Sequence, residues 1–143
     1  MSHFPAEAQK IMQERFGHDS LIALATIDGN TPWVRTVNAY YEDGVFYVIT
    51  YALSNKIKQI EMNPKVAVSG DWFTAHGEGA NLGHILKAEN AEIADKLRKA
   101  FAEWYNNGHT NEKDSNTVIL AIRLMTGVLM SHGIRYDIQF GGE

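Results

Sequence analysis

The sequence predicts one domain that is mainly an antiparallel β-barrel with helices packed on its outside. The chain has 143 residues, which is the usual size of a single domain. Its segments follow the order β-β-β-α-β-β-α-β-β, and Asp28-Gly29 and Asp43-Gly44 separate the first three strands. An Asp-Gly pair between apolar runs is typical of a type I′ hairpin turn, because both central residues of that turn need a positive φ. We therefore expect residues 1–143 to form a single barrel domain.

The first third of the chain is predicted to be a helix followed by a meander of three strands. The helix covers Pro5–Phe16, where apolar residues recur at helical spacing and Gly17 can end the helix. The strands cover residues 21–27, 33–41 and 45–51, which are apolar runs rich in β-branched and aromatic side chains.

A short helix is predicted after the meander, because Ser54 is a good N-cap and Asn63-Pro64 ends a helix. Val66–Val68 and Trp72-Phe73 then begin a fourth strand. The glycine-rich stretch Gly77–Gly83 interrupts the strand pattern. A bent strand or a bulge explains it better than a dinucleotide-binding loop, since the third glycine of GxGxxG is out of place.

The last part of the chain is predicted to contain a long helix and two strands. The helix runs from about Lys87 to Tyr105, with an apolar stripe opposite charged side chains and Asn107-Gly108 as its C-cap. Thr117–Met130 is a long apolar strand and Tyr136–Phe140 a short one. The longer strand carries more apolar surface than one small core needs, so we expect it to contribute to an interface between two copies of the chain.

The composition excludes several classes of function. The chain has no cysteine, and therefore no disulfide, thiolate metal site or cysteine nucleophile. A net charge of −4 argues against binding to nucleic acid. The N-terminus has no basic stretch followed by an apolar run, and no run of about 18 apolar residues occurs. We expect a cytoplasmic protein without a membrane or nucleic-acid partner.

Metal and hydrolase chemistry also find no support in the sequence. The six histidines show no HExxH or other compact ligand spacing, and the serines lie in no nucleophile elbow. We therefore expect no metal site, and no residue stands out as a catalytic acid or base.

The helix that begins at Ser54 is the best candidate for a binding site. A helix N-terminus carries unpaired N–H groups and a partial positive charge, and it favours phosphate. Here it adds the Ser54 hydroxyl and the Lys56 ammonium, and Thr50 ends the strand that leads to it. Taken alone, such residues are more often a helix cap and a solvated lysine.

Arg35 favours the phosphate interpretation. Strand alternation places Arg35 on an otherwise apolar face, together with Trp33, Val37, Ala39 and Tyr41. A guanidinium there needs an anionic partner, because an unpaired buried charge is costly; alternatively, it lies near a rim and reaches water. Since strand 33–41 pairs with strand 45–51, Arg35 can approach the start of the helix. Arg35, Thr50, Ser54 and Lys56 could then bind one phosphate.

This pattern resembles the pyridoxamine 5′-phosphate oxidase-like family. The family has an Arg on the second strand, a Thr ending the third, a Ser-x-Lys helix start and an Asn-Pro before the fourth strand. Arg35, Thr50, Ser54, Lys56 and Asn63-Pro64 match it in order and spacing. The resemblance spans roughly residues 20–85 and is closest to the short branch of general stress or nitroimidazole-resistance-like proteins. It implies an antiparallel split β-barrel that binds FMN.

The resemblance also implies roles for individual residues. Arg35 and Lys56 would bind the FMN phosphate, and the Ser54 and Thr50 hydroxyls would donate to it. The family's homodimers hold their flavins between subunits, so that a residue of one chain reaches the flavin of the other. The implied cofactor-binding residues are Arg35, Thr36, Val37, Thr50, Ser54, Asn55, Lys56 and Trp72. Thr36 and Val37 would lie along the isoalloxazine ring, and Trp72 would reach the partner's flavin.

The function implied by the resemblance is that of an FMN-dependent oxidoreductase with an unknown small-molecule substrate. Asn55 and Tyr40 replace residues usual in pyridoxamine phosphate oxidases, and the Arg-x-x-Pro and Glu-Phe-Trp signature of their C-terminal part is absent. Oxidation of pyridoxamine phosphate is therefore not expected. Two alternatives remain open: a non-catalytic module that binds flavin, deazaflavin or haem, and a stress-related structural dimer with an empty cleft.

Overall fold

A computed structural model describes residues 3–141 of the chain and shows seven strands, four α-helices and a one-turn 3₁₀-helix in this range. The strands are β1 (Ser20–Asp28), β2 (Thr31–Glu42), β3 (Val45–Tyr51), β4 (Lys65–Gly70), β5 (Phe73–His84), β6 (Thr117–Ser131) and β7 (Ile134–Gln139). The α-helices are α1 (Ala6–Phe16), α2 (Asn55–Met62), α3 (Ala91–Ala100) and α4 (Ala102–Tyr105), and the 3₁₀-helix is Ala88–Asn90.

The strands form an antiparallel barrel, which confirms the predicted fold class. They are hydrogen-bonded in the order β3-β2-β1-β4-β5-β6, and pairing of β6 with β3 closes the ring at six strands. The seventh strand, β7, pairs with the second half of β6 outside the ring. No helix of residues 3–141 is long and apolar enough to cross a membrane.

The barrel is split between β2 and β3. Residues 31–39 of β2 pair with β1, whereas β2 pairs with β3 only through Tyr40–Glu42 and Val45–Tyr47. Beyond these pairs the strands diverge, and β3 continues along β6. The residues flanking a two-residue hairpin loop form a hydrogen-bonded pair, and such pairs alternate along the strands. The backbone groups of Val34, Thr36 and Asn38 therefore face the open edge of β2.

Apolar side chains form two buried clusters, one inside the barrel and one under α3 and α4. Val118, Leu120 and Ile122 of β6 belong to the first cluster, and Ile119 between them belongs to the second. Both faces of the first half of β6, residues 117–122, are therefore largely buried within one chain, because the helices cover the side that faces away from the barrel, while the second half is mostly half-buried or exposed. The contribution of this strand to an interface between two copies stays a prediction.

The hairpin turns agree with the sequence in part. Asp43 and Gly44 have φ values of 48° and 85°, which confirms a type I′ turn. At the first hairpin the predicted turn is shifted: Gly29 and Asn30 form the loop, and only Gly29 has a positive φ, of 64°. That pattern fits a type II′ turn, in which glycine occupies the first central position.

The predicted fourth strand is two strands joined by a tight turn. β4 ends at Gly70, and Trp72 lies in the turn before Phe73 rather than in a strand. The glycine-rich stretch does not interrupt the sheet, because β5 runs through it to His84 with register shifts at His76/Gly77 and between Asn81 and His84. These shifts confirm the bent or bulged strand that the glycines predicted.

The predicted long helix is divided into a 3₁₀ turn, α3 and α4. The buried Asn90 side chain donates hydrogen bonds to the carbonyls of Leu82 and His84, which ties this point to β5 and delays the start of α3 to Ala91. Phe101 interrupts the helix with φ −99° and ψ 16°, and its ring is fully buried. The helical segment ends at Tyr105, with Asn106 as the C-cap instead of Asn107-Gly108.

Candidate functional site

The helix α2 begins as predicted, but its first hydroxyl is not used as a cap. Ser54 occupies the N-cap position with extended backbone, yet its side chain makes no capping hydrogen bond. Its Oγ atom is buried and has no hydrogen-bond partner among the described residues. A buried hydroxyl without a partner costs on the order of 1–3 kcal/mol, so this oxygen is suited to a ligand.

Lys56 and Thr50 lie together at the same end of α2. The Lys56 ammonium donates a hydrogen bond to Thr50 Oγ1 at 2.8 Å, which links the end of β3 to the first turn of the helix. Burial lowers the pKa of Lys56, and the nearby charge of Arg35 lowers it further. The alternative of a fully solvated surface lysine does not hold, because this ammonium is half-buried near a second cation.

Arg35 projects from β2 toward α2 and is held by neutral acceptors. Its Nη1 donates to Thr26 Oγ1 at 2.7 Å and to the Leu24 carbonyl at 3.3 Å, and its Nη2 donates to Gln59 Oε1 at 3.1 Å. Burial lowers the pKa of this guanidinium. Arg35 is only partly exposed, so the rim position considered from the sequence is correct only in part.

Two cations therefore face each other without a carboxylate. In the part of the chain that the structure describes, neither Arg35 nor Lys56 takes part in an ion pair. Partly buried like charges repel, and a protein normally pairs such groups. The start of α2 therefore carries positive charge that no carboxylate of the described residues neutralises.

Exposed apolar side chains border this cation pair on both sides of the split. Trp33 and Val34 directly precede Arg35 in β2 and are 52% and 67% exposed. Tyr51 and Leu53 lie between Thr50 and Ser54 and are 45% and 56% exposed. Large apolar groups gathered at one place on a surface indicate a ligand or a partner that covers them.

The structure brings together four of the predicted site residues and places the others around them. Arg35, Thr50, Ser54 and Lys56 form the cluster, and Asn55 is exposed at the first position of α2. Thr36 is exposed on the outer face of β2 with its backbone at the open edge, while Val37 packs against the barrel core.

Trp72 lies outside the cluster of its own chain. The register of β1 with β2 and β4 places it two strands from Arg35 and about four residues along, on the order of 15 Å away. Its side chain is 72% exposed and its φ is 52°, a left-handed value that is unfavourable for a bulky residue.

Thr26 and Gln59 are site residues that the sequence reasoning did not identify. Thr26 is the one polar residue among the inward-facing side chains Ile22, Leu24 and Thr26 of β1, and it is 1% exposed. Gln59 follows Lys56 by three positions, so both lie on one side of α2. The sequence did contain a signal for Thr26. It is a polar residue in an inward-facing position of β1, two residues after Leu24, which pairs with Arg35.

A second polar cluster, centred on Glu112 in the loop after α4, has a structural role. Glu112 accepts hydrogen bonds from Arg98 Nε at 2.6 Å and from the Tyr105 hydroxyl, and its backbone carbonyl lies 2.6 Å from His84 Nε2. The Arg98 guanidinium lowers the pKa of Glu112. These contacts fasten the loop after α4 to α3 and β5.

Comparison with known proteins places the chain in a family. The family model described as pyridoxamine 5′-phosphate oxidase matches residues 8–130, which is most of the chain. The chain belongs to this family. A search of curated proteins finds no match.

Solved structures of related proteins share the fold at low sequence identity. General stress protein 26 from Bacillus anthracis is 21% identical over 91% of this chain and 92% of that protein, with a TM-score of 0.65. A FAD-binding protein from Mesorhizobium loti is 14% identical over 89% and 94%, with a TM-score of 0.66. A heme binding protein from Mycobacterium smegmatis is 13% identical over 95% and 59%, with a TM-score of 0.68. At these identities the likeness supports the split-barrel fold alone.

Proposed function

We propose that the protein binds FMN at the split between β2 and β3 and works as a flavin-dependent oxidoreductase. The observation that carries this proposal is the pair of uncompensated cations beside a buried, unpartnered hydroxyl. Arg35 and Lys56 supply positive charge, Ser54 supplies a free hydroxyl, and α2 directs its N-terminal N–H groups to the same place. A phosphate monoester satisfies all of these groups at once.

The surroundings of the cation pair fit the rest of a flavin nucleotide. The isoalloxazine ring is planar, largely apolar on its faces and polar along one edge. Trp33, Val34, Tyr51 and Leu53 offer apolar surface on both sides of the split. The unpaired backbone groups of Val34, Thr36 and Asn38 along the open edge of β2 can bind the polar edge of the ring.

The protein's own contribution to the chemistry is binding and orientation. Bound FMN would supply hydride or electron transfer at its ring, which the side chains of the chain do not provide themselves. Arg35, Ser54 and Lys56 would fix one end of the cofactor, and the open strand edge would orient the other. The substrate would be a small molecule that contacts the flavin ring.

A homodimer is part of the proposal, since one chain leaves the split open. Grooves of about 440 Å³ lie between α1 and β7 and over β5–β7, and one of about 450 Å³ lies between the β1–β2 hairpin and α2; none of the three is lined by Arg35 or Lys56. The apolar residues beside the cation pair stay 45–67% exposed. A second chain that covers them would enclose the flavin, and Trp72 of that chain is the residue we assign to the contact.

The absorption spectrum of the purified protein and its titration with flavins test this proposal. We expect a flavin spectrum, or uptake of FMN, with riboflavin bound about tenfold to a hundredfold more weakly, because a charge-assisted hydrogen bond is worth roughly 1.5–3 kcal/mol. Equal affinities for the two flavins, measured by fluorescence quenching, would contradict the phosphate site.

The same experiment separates the rival functions. A flavin spectrum that NAD(P)H does not bleach would favour a module that binds flavin without turnover. A Soret band would identify haem as the ligand. A colourless dimer that takes up neither flavin nor haem would favour a structural role.

A further inference from the structure

We propose that Thr26 and Gln59 form a neutral bracket that orients Arg35 and preserves its charge, so that the site selects a dianionic phosphate monoester. This inference rests on the proposed function, and it assigns positioning roles to two residues that do not themselves touch the cofactor. It also predicts that FMN is preferred to FAD, whose phosphates are diesters with a single charge each.

Arg35, Thr26 and Gln59 are linked to one another by three hydrogen bonds. Arg35 Nη1 donates to Thr26 Oγ1 at 2.7 Å, and Arg35 Nη2 donates to Gln59 Oε1 at 3.1 Å. The Thr26 hydroxyl in turn donates to Gln59 Oε1 at 2.5 Å. These bonds determine the role of each group. The Thr26 hydroxyl accepts one hydrogen bond and donates one, and the Gln59 amide accepts both of its bonds through its oxygen.

The remaining donors of Arg35 are available to a ligand. A guanidinium has five N–H groups, of which Thr26, the Leu24 carbonyl and Gln59 use three. Nε–H and one Nη2–H have no partner among residues 3–141. Arginine commonly binds phosphate through two parallel N–H groups, so these two suit one phosphate.

The neutrality of the bracket is the unusual feature. A partly buried guanidinium is ordinarily paired with a carboxylate, which would cancel the charge that a phosphate needs. Replacing the Gln59 amide by a carboxylate keeps the shape and both hydrogen bonds of the bracket. The chain instead has an amide and a hydroxyl there. The Thr26 side chain is 1% exposed, so the surrounding packing restricts its movement.

Gln59→Glu separates a charge-preserving role from a merely structural one. The variant can still accept bonds from Thr26 and Arg35, so it should fold, and the new ion pair should raise the thermal midpoint of the apoprotein. FMN affinity should fall at least tenfold while riboflavin affinity stays constant, because only the phosphate is repelled. Met62→Glu is the matched control: it adds the same charge to α2 at a side chain that is 88% exposed.

The affinities of wild type, Gln59→Glu and Met62→Glu for FMN, FAD and riboflavin decide the matter. An FMN-to-riboflavin ratio that falls only in Gln59→Glu, together with FMN preferred to FAD in wild type, supports the bracket. An unchanged ratio, a parallel loss of both flavins, an equal loss in Met62→Glu, or FAD bound as tightly as FMN overturns it.

Failure of the proposed function gives a different result. If wild type binds no flavin, the FMN proposal falls, and the bracket is tested with inorganic phosphate alone. Thermal stabilisation by phosphate that is present in wild type and Met62→Glu but lost in Gln59→Glu supports a neutral bracket for a phosphate group. An equal response to phosphate in all three proteins, including none, overturns it.

Discussion

Lys56 and Arg35 act on each other across the split of the barrel. Burial lowers the pKa of Lys56 and the charge of Arg35 lowers it further, while Thr50 Oγ1 accepts the one hydrogen bond that the ammonium makes among the described residues. The apoprotein therefore keeps two like charges close together without an internal counterion. Such an arrangement is costly unless a ligand compensates it, and the predictions below follow from that cost.

Ser54→Ala should weaken FMN binding without destabilising the apoprotein. The Ser54 hydroxyl has no partner, so its removal breaks no hydrogen bond and relieves a desolvated polar atom. We expect the free energy of unfolding to stay constant or to rise by about 1 kcal/mol, and the thermal shift produced by FMN to shrink. Ser115→Ala, at an exposed loop position, should change neither quantity. A destabilised apoprotein would show that Ser54 acts as an ordinary N-cap.

Ser54 illustrates how far the sequence could predict this site. Capping statistics identified the position where α2 begins, but they assigned the hydroxyl to the helix itself. Whether a serine caps its helix or remains free depends on its rotamer and on the packing around it, which a single sequence does not contain. The residues alone left Lys56 open between a solvated surface lysine and a phosphate ligand, because its hydrogen bond to Thr50 and its proximity to Arg35 depend on how α2 packs against β2 and β3.

The fold was more predictable than the contacts between its elements. Turn residues and apolar runs identified β1, β2, β3, β6 and β7, because these signals are local, whereas the glycine-rich stretch concealed most of β5. The split itself was not predictable from them: it depends on β3 leaving β2 after Tyr47 to pair with Ile119 and its neighbours in β6. The same barrel closure buries Val118, Leu120 and Ile122 of β6 in the core, while Ile119 packs in the cluster under α3 and α4.

Gly77→Ala should destabilise the fold by roughly 1–3 kcal/mol. A Cβ at this position would overlap the Arg123 carbonyl oxygen of β6, at the register shift that bends β5. The backbone cannot move away cheaply, because both strands are held by their ladder. Gly133→Ala is the control: its φ of 78° lies in the left-handed region and costs about 1 kcal/mol, but a Cβ there meets nothing within 4 Å. Denaturant unfolding of the two variants should place Gly77→Ala clearly below Gly133→Ala.

Trp72→Gly should weaken dimerisation and FMN binding while leaving the isolated fold at least as stable. Trp72 has a φ of 52° and a mostly exposed side chain, and glycine removes a left-handed strain of about 1 kcal/mol. Wild type should sediment at twice the mass of the 16.0 kDa chain, and the variant should dissociate at higher concentration. Asp43→Gly, which also replaces a residue with positive φ in a hairpin, should leave the dimer intact. A wild-type monomer at micromolar concentration would contradict the two-chain cleft.

Lys56→Met should lower the ratio of FMN to riboflavin affinity by about tenfold or more, as expected for the loss of one charge-assisted contact. Methionine keeps the length and helix propensity of lysine but lacks its charge. The apoprotein should lose no more than about 0.5 kcal/mol, because the lost bond to Thr50 is offset by removal of a half-buried charge. Lys58→Met, two residues along the same helix and exposed, is the matched control. An unchanged ratio in Lys56→Met would remove this lysine from the site.

The stability of the apoprotein and its affinity for FMN should change with pH in opposite directions. In the apoprotein the pKa of Lys56 lies below its usual value of 10.5, so between that lowered pKa and 10.5 the unfolded chain binds more protons than the folded one. The free energy of unfolding should therefore rise with pH through this window, and the cost of burying the charged form is fully present below it.

FMN binding should show the reverse trend, because the phosphate needs the charged form of Lys56. As pH rises through the lowered pKa, FMN affinity should fall, since each binding event must then supply a proton to Lys56. Riboflavin carries the same ring without the phosphate, so the ratio of the two affinities removes the titration of the ring itself. Measured from pH 7 to 10.5, this ratio should decline in wild type and in Lys58→Met but remain flat in Lys56→Met. A ratio that declines equally in all three proteins would show that another group titrates, and that Lys56 does not hold the phosphate.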